Sequence, residues 1–151
     1  MKRAWRIVKK AHAATALSGE GARLYGGRWN SPGTTVVYTS GSLALAALEN
    51  LVHLNPPVRF EYVAIPLDFD EAWVRTVTPE ELPADWTEEP PPPSTQALGD
   101  QWVRTASSAV LELPSTIVRI EPNYLFNPAH PDFKKVRIGK AMPFAFDPRL
   151  R

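Results

Sequence analysis

Cysteine is missing from the 151 residues. Disulfides, thiolate nucleophiles and cysteine-based zinc sites are thereby excluded, and the composition suits a cytoplasmic chain. Charge of one sign is not in excess. There are 17 Lys and Arg against 16 Asp and Glu, a formal net charge of +1. No basic run is long enough to track a phosphate backbone, so direct nucleic-acid binding is not expected of this chain. Long hydrophobic runs are absent too. The longest clean one, Leu43 to Leu48, is far too short to cross a bilayer, and no membrane association is expected. The opening MKRAWRIVKKAHAATALSG is basic, but Lys9, Lys10 and His12 interrupt any apolar core, so it does not read as a signal peptide. His12, His53 and His130 form no metal-binding spacing, and no metal site is expected. Walker A, G-x-G-x-x-G after a strand, and the G-x-S-x-G elbow are all lacking.

What is present fits one soluble domain over residues 1–151. Apolar residues make up 44% of the chain, enough for a real core at 16.8 kDa. Ala4 to Val8 reads as a short strand. Gly19 to Gly33 is a glycine-rich loop region. Thr34 to Thr39 is β-branched and strand-like, and Ser42 to Leu54 reads as a helix capped by Ser40 or Ser42 and stopped at Asn55 to Pro57. Arg59 to Leu67 is a further strand. Sixteen prolines gather mostly in the second half. Thr78 to Ala97, with PPPP at Pro90 to Pro93, reads as a surface loop of polyproline character. A short helix is expected over Gly99 to Ser108, and strands over AVLEL, STIVRI, KKVRI and MPFAF. Asn123 to Phe133 reads as turn-rich. This order is not βαβ alternation. It predicts an α+β domain with mainly antiparallel sheets and a few helices.

A few residues are placed to do chemistry. Glu49 shares a helix face with Leu45, Val52 and His53. A carboxylate beside an apolar stripe costs free energy unless it is paired or faces a cleft, so Glu49 is either a boundary residue, paired with His53 or exposed, or a cleft group. Arg28 follows Gly26 and Gly27. Glycines permit positive φ and close backbone approach, and an arginine held there can fork onto a carboxylate or a diphosphate; a plain turn with a solvated arginine is the alternative. Tyr38 either packs in the core or offers its ring face to a ligand. Ser115 follows Pro114 and could simply bond to local backbone. His130 and Asp132 in NPAHPDF read as a side-chain-bonded turn rather than a metal site.

GEGARLYGGRWNSPG, VVYTSGSLALAALENLVHL, GDQWVRTASSAVLELPSTIVRIEPNYLFNPAHPDF and FDPRL, in this order, together resemble the RES domain family over nearly the whole chain, Trp5 to Leu150. The resemblance implies an ADP-ribosyltransferase-like fold and a toxin of a bacterial toxin–antitoxin pair. It implies consumption of NAD⁺, by hydrolysis or phosphorolysis, with NAD⁺ as substrate rather than cofactor. Some members ADP-ribosylate a protein. The implied partner is an Xre-type helix-turn-helix antitoxin that blocks the pocket and binds DNA, and a homodimer within such a complex is compatible with it. The family's arginine, glutamate and serine fall on Arg28, Glu49 and Ser115, and its tyrosine near the nicotinamide on Tyr38. In this reading Arg28, with Gly26 and Gly27, anchors the diphosphate. Glu49 stabilises the sugar cation, and Ser115 holds Glu49 or a ribose hydroxyl. Trp29, Asn30 and Asn127 shape the rim. Rival expectations are transfer of ADP-ribose to a protein, and a non-catalytic module that only binds NAD⁺.

Overall fold

The computed structural model describes residues 1–53 and 60–150. Its strands are β1 (Lys2–Lys9), β2 (Val37–Ser40), β3 (Tyr62–Phe69), β4 (Val74–Thr76), β5 (Val110–Pro114), β6 (Pro122–Phe126), β7 (Arg137–Ile138) and β8 (Met142–Phe144). The α-helices are α1 (Glu20–Tyr25), α2 (Leu43–Leu51) and α3 (Pro93–Thr105). All eight strands join one sheet in the order β4-β5-β6-β2-β1-β3-β7, with β8 also on β3. Pairing is antiparallel except between β4 and β5. The mixed α+β class and the mainly antiparallel sheet are therefore as the sequence predicts.

Strand periodicity sorts the apolar side chains to the two faces of the sheet. Along β3, Val63, Ile65, Leu67 and Phe69 enter one core cluster, and Tyr62 and Ala64 enter another with Ile7, Ala46 and Phe146. Along β5, Leu111 and Leu113 meet Trp29, Val36 and Trp102 in a third. That third cluster seats α3 on the sheet, and the cluster around Ala46 seats α2.

Four local expectations are corrected. The Gly19–Gly33 stretch is not all loop, because Glu20–Tyr25 forms α1, braced by an Arg23 Nε to Glu20 bond of 2.8 Å. Pro90 to Ala97 is not loop throughout, because α3 begins at Pro93. Proline is tolerated in a first helical turn, where its missing N–H has no partner to lose. STIVRI is not a strand: Ser115 Oγ accepts from Ile117 N at 3.0 Å and Val118 N at 3.2 Å, which closes a turn. Asn123 to Phe126, read as turn-rich, lies inside β6, between β5 and β2 in the sheet. Both faces of β6 are covered, so no polar alternation marks it. The end of α2 observed at Leu51 precedes the expected Leu54, which with the Asn55–Pro57 stop and Arg59 lies outside the described residues.

β1 and β2 share a single paired position, Trp5 with Ser40, while β1 and β3 pair along their whole lengths. The sheet therefore separates between β1 and β2. A large cleft is lined by residues from both sides of that separation.

Candidate active site

The cleft holds about 1110 Å³. Trp5, Arg6 and Ile7 of β1 and Tyr38, Thr39 and Ser40 of β2 line it, with Glu49 and His53 on one side and Gly26 to Trp29 and Glu89 on another. Glu49, Arg28 and Tyr38, which the sequence reading singled out, thus meet in one depression.

Glu49 arrives on α2. Ser42 starts that helix, its Oγ accepting from Leu45 N at 3.1 Å. Leu45 and Ala46 bury the inner face, which rolls Glu49 toward the cleft wall. Ser115 Oγ donates to Glu49 Oε1 at 2.8 Å. Ser115 is fully buried, and its hydroxyl also accepts two amide bonds from its own turn. The serine is thus fixed from behind and points its hydrogen at the carboxylate. Glu49 is held by Ser115 rather than by His53.

Arg28 sits at the tip of the turn Gly26–Asn30, closed by Gly27 N to Asn30 O at 3.0 Å. Gly26 has φ 73°, a conformation that favours glycine. Gly27 answers to a different constraint. A Cβ there would stand 2.7 Å from the Tyr38 hydroxyl. The close approach is to tyrosine and needs no ligand to explain it. The Tyr38 hydroxyl donates to Asn30 Oδ1 at 2.6 Å and accepts from Trp29 N at 3.0 Å. Burial, the main cause, pushes that hydroxyl above its ordinary pKa, and the Trp29 amide opposes it. Tyr38 is therefore a neutral phenol with its polar end committed to the loop and its ring in the cleft wall.

Asn30 is fully buried and donates to the Ala22, Ser31 and Thr34 carbonyls. It braces the loop. The Trp29 side chain packs in the core beneath α3, so its contact with the cleft is at the loop's edge. Asn127 departs from expectation. It is 2% exposed, is not among the residues lining the cleft, and bonds to Val103 O and Ala129 N. Its amide fixes the chain after β6, so a substrate contact is not what its position offers.

The Arg28 side chain is 11% exposed. Nη1 donates to Trp86 O at 3.0 Å and Glu88 O at 2.8 Å, and Nη2 pairs with the Glu89 carboxylate. Burial lowers its pKa from the ordinary value, while Glu49 and Tyr38 push it back up. That coupling makes Arg28 and Glu49 electrostatic neighbours.

Helix α3 holds the loop along one face. Gln96 Nε2 donates to Gly27 O at 3.1 Å, and Asp100 Oδ1 accepts from Ser31 N at 2.9 Å. Between them lies Gly99, where a Cβ would stand 1.6 Å from the Trp29 carbonyl oxygen. Sequence reasoning missed this set, along with Glu89 and Arg6. The spacing of Gln96, Gly99 and Asp100 was a usable signal, hidden by reading the proline run as loop. Arg6 also carried one, as a charge between Trp5 and Ile7 in an apolar strand.

Among the described residues no group of three or more His, Asp or Glu is placed to hold a metal ion. No helix among them is long and apolar enough to cross a membrane.

Comparison with known proteins gives consistent matches. The family model described as RES domain matches residues 3–147. A protein of Sphingobium sp. (strain YBL2) named Prs ADP-ribosylating toxin is 42% identical over 153 residues, covering 97% of this chain and 94% of the relative. Toxin Res of Yersinia enterocolitica is 36% identical, covering 97% and 98%. Among solved structures, the Mycobacterium tuberculosis MbcT–MbcA toxin–antitoxin complex contains a chain with a TM-score of 0.78 at 18% identity, over 95% of this chain and 84% of that one. At that identity the likeness concerns the fold.

Proposed function

The chain belongs to the RES domain family, and from that premise we propose that it is the toxin of a toxin–antitoxin pair, an enzyme with an ADP-ribosyltransferase-like fold that depletes NAD⁺ in the cytoplasm by cleaving its nicotinamide–ribose bond. The observation that carries this reading is the Glu49 carboxylate, fixed by Ser115 at 2.8 Å in a cleft it shares with Arg28 and Tyr38.

The chemistry matches that inventory. The bond between nicotinamide nitrogen and ribose C1′ breaks with both electrons going to nitrogen, so nicotinamide leaves neutral and no general acid is needed. The positive charge left on the ribose is oxocarbenium-like, and one oriented carboxylate stabilises it. Water or phosphate then bonds to C1′ and gives up a proton. An ordinary glycosidase needs a second carboxylate to protonate its leaving group. Here the cleft's other carboxylate, Glu89, is engaged by Arg28.

Ser115 orients Glu49, the Tyr38 ring hems in the nicotinamide, and Arg28 takes the diphosphate in exchange for Glu89. NAD⁺ enters as a substrate, not as a resident cofactor. The expected partner is an Xre-type helix-turn-helix antitoxin that covers the cleft and carries the DNA-binding role. The toxin–antitoxin complex among the structural relatives supports an antitoxin partner. A homodimer of the toxin within that complex is compatible with this reading.

The test is purified protein with NAD⁺, followed by chromatography for nicotinamide, with and without phosphate. Glu49→Gln is expected to abolish nearly all release while staying folded. Full release by that variant would refute the assignment. The name of the Sphingobium relative favours a second reading, transfer of ADP-ribose to a protein. Labelled NAD⁺ in a lysate separates the two: a discrete labelled band favours transfer, free product favours depletion. Binding of NAD⁺ without turnover would instead mark a non-catalytic module.

A further inference from the structure

Helix α2 is gripped at two points along the stripe that carries Glu49, and only one of them faces the cleft. Ser42 and Glu49 are seven positions apart, about two helical turns, so their side chains lie on one side of the helix. Ser115 Oγ donates to Glu49 Oε1 at 2.8 Å. At the other end Ser42 Oγ donates to Glu121 Oε1 at 3.4 Å while accepting from Leu45 N at 3.1 Å. Ser115 and Glu121 are the two ends of a single turn. Ser115 N bonds to Glu121 O at 2.9 Å, and Glu121 N to Val118 O at 2.9 Å. One turn therefore holds one helix twice.

Rigid flanks support that grip. Pro114 and Pro122 stand opposite each other at the last rung of β5 and β6, and Gly41 N, next to Ser42, donates to Pro122 O at 3.0 Å. Glu121 reaches Ser42 from outside the cleft. It lines a separate cavity of about 310 Å³ with Pro114, Arg119 and Tyr124, and is not among the residues lining the cleft. No ion pair among the described residues claims its carboxylate. At 3.4 Å the bond from Ser42 is long, so what it supplies is direction more than energy. A serine hydroxyl has one hydrogen to give. An acceptor at Glu121 aims that hydrogen outward and leaves the lone pairs facing the Leu45 amide, which is the cap that starts the helix.

We propose that Glu121 is a positioning residue for Glu49: it fixes the Ser42 end of α2 as Ser115 fixes the Glu49 end. This rests on the NAD⁺ reading for the role of Glu49. A helix tied at one point can roll about that point. Tied at two points on one stripe, its rotation and its place along its own axis are both set. The carboxylate then stays where Ser115 holds it, and a displacement of about 1 Å is enough to cost rate. Glu121 touches neither the substrate nor the broken bond. It acts through Ser42 and the helix.

The experiment compares wild type with Glu121→Ala, Glu121→Gln and Glu121→Asp. Circular dichroism and thermal melting establish that each is folded. Three readouts follow: kcat and KM for NAD⁺, affinity for ADP-ribose by calorimetry, and amide exchange at Leu45 by NMR. Glu121→Ala is expected to lower kcat about three- to tenfold, with KM and ADP-ribose affinity within about twofold. Glu121→Gln keeps an acceptor oxygen and should recover most of kcat. Glu121→Asp keeps the charge on a shorter arm and should behave like the alanine variant, which it replaces if that one does not fold. Exchange at Leu45 should quicken in the alanine and aspartate variants and not in the glutamine variant. Added to Ser115→Ala, which already frees Glu49, Glu121→Ala should cost less than it does alone.

Unchanged kcat in the folded alanine or aspartate variant would overturn the proposal. So would a fall in kcat matched by losses of ADP-ribose affinity and melting temperature, which marks a merely structural glutamate. A glutamine variant as slow as the alanine variant would overturn it too, because charge rather than the Ser42 bond would then be at work. The exchange measurement needs no turnover and separates this idea from the NAD⁺ reading. If wild type leaves NAD⁺ intact while Leu45 exchange responds as expected, the two-point hold on α2 stands and the substrate reading falls. If wild type releases nicotinamide and the alanine and aspartate variants do so at full kcat, the reverse holds.

Discussion

Glu49 reaches the cleft on a nine-residue helix and is fixed by one hydrogen bond from Ser115, whereas Arg28 is fixed from several distant parts of the chain. The arginine wall takes Gln96 and Asp100 from α3, the carbonyls of Trp86 and Glu88, the Glu89 carboxylate, and the paired Tyr38 and Asn30. Glu49 itself takes one long-range hydrogen bond, on a helix whose start is set locally by Ser42. The arginine wall exists only once the domain has closed on itself. Damage should accordingly spread differently: substitutions at the glutamate wall should remove chemistry and leave the fold, while those at the arginine wall should disturb both.

Gly99→Ala should break the comparison hardest. A Cβ 1.6 Å from the Trp29 carbonyl forces α3 off the loop. We expect destabilisation of about 3 kcal/mol or more, read as a lower melting temperature, together with loss of activity. Glu49→Gln comes next. Turnover should fall by about 10²- to 10³-fold, in the range seen for loss of one group that stabilises a transition state, with the melting temperature unchanged. Ser115→Ala should sit between the two behaviours. It frees Glu49 and leaves two turn amides short of an acceptor, so we expect roughly tenfold lower kcat and about 1 kcal/mol less stability.

Glu89→Gln sharpens the contrast from the other direction. Removing the anion on Arg28 should lower KM for NAD⁺ a few-fold and leave kcat alone; a raised KM would mean that Glu89 helps binding. The smallest effect is a pH dependence. The Tyr38 pKa is raised in the folded protein, so the unfolded chain loses that proton first, near pH 10. Stability from this group is complete below about pH 10 and falls as pH climbs toward the folded value, by at most about 1.4 kcal/mol per pH unit. Melting curves between pH 8 and 11 would record it, with Tyr38→Phe lacking this component.

The same contrast explains what could be read in advance. The helix of Glu49 was legible because Ser42 marks its start and the apolar spacing of Leu45 and Ala46 sets its inner face. Ser115 was legible only through family resemblance, since nothing local to LPST says that its hydroxyl points at a residue 66 positions away. Strands β3 and β5 were visible in their β-branched and leucine-rich runs. β6 was not, because its buried neighbours on both faces erase alternation. The proline run concealed α3, and with it the face that clamps the GGRWN turn. In that turn the adjacent glycines invited a ligand-based reason. Gly26 has a conformational reason and Gly27 a steric one, and both belong to the protein itself.

The single rung between β1 and β2 has a mechanical consequence. The sheet amounts to two ribbons, β4-β5-β6-β2 and β1-β3-β7 with β8, that share almost no ladder. The seam is bridged instead by helix α2 lying over it and by the Arg6 side chain reaching from one ribbon to the other. Such a seam yields by shear at little expense in main-chain hydrogen bonds. A ligand seated there would act as a rivet, and amide exchange along β2 should slow when the cleft is filled.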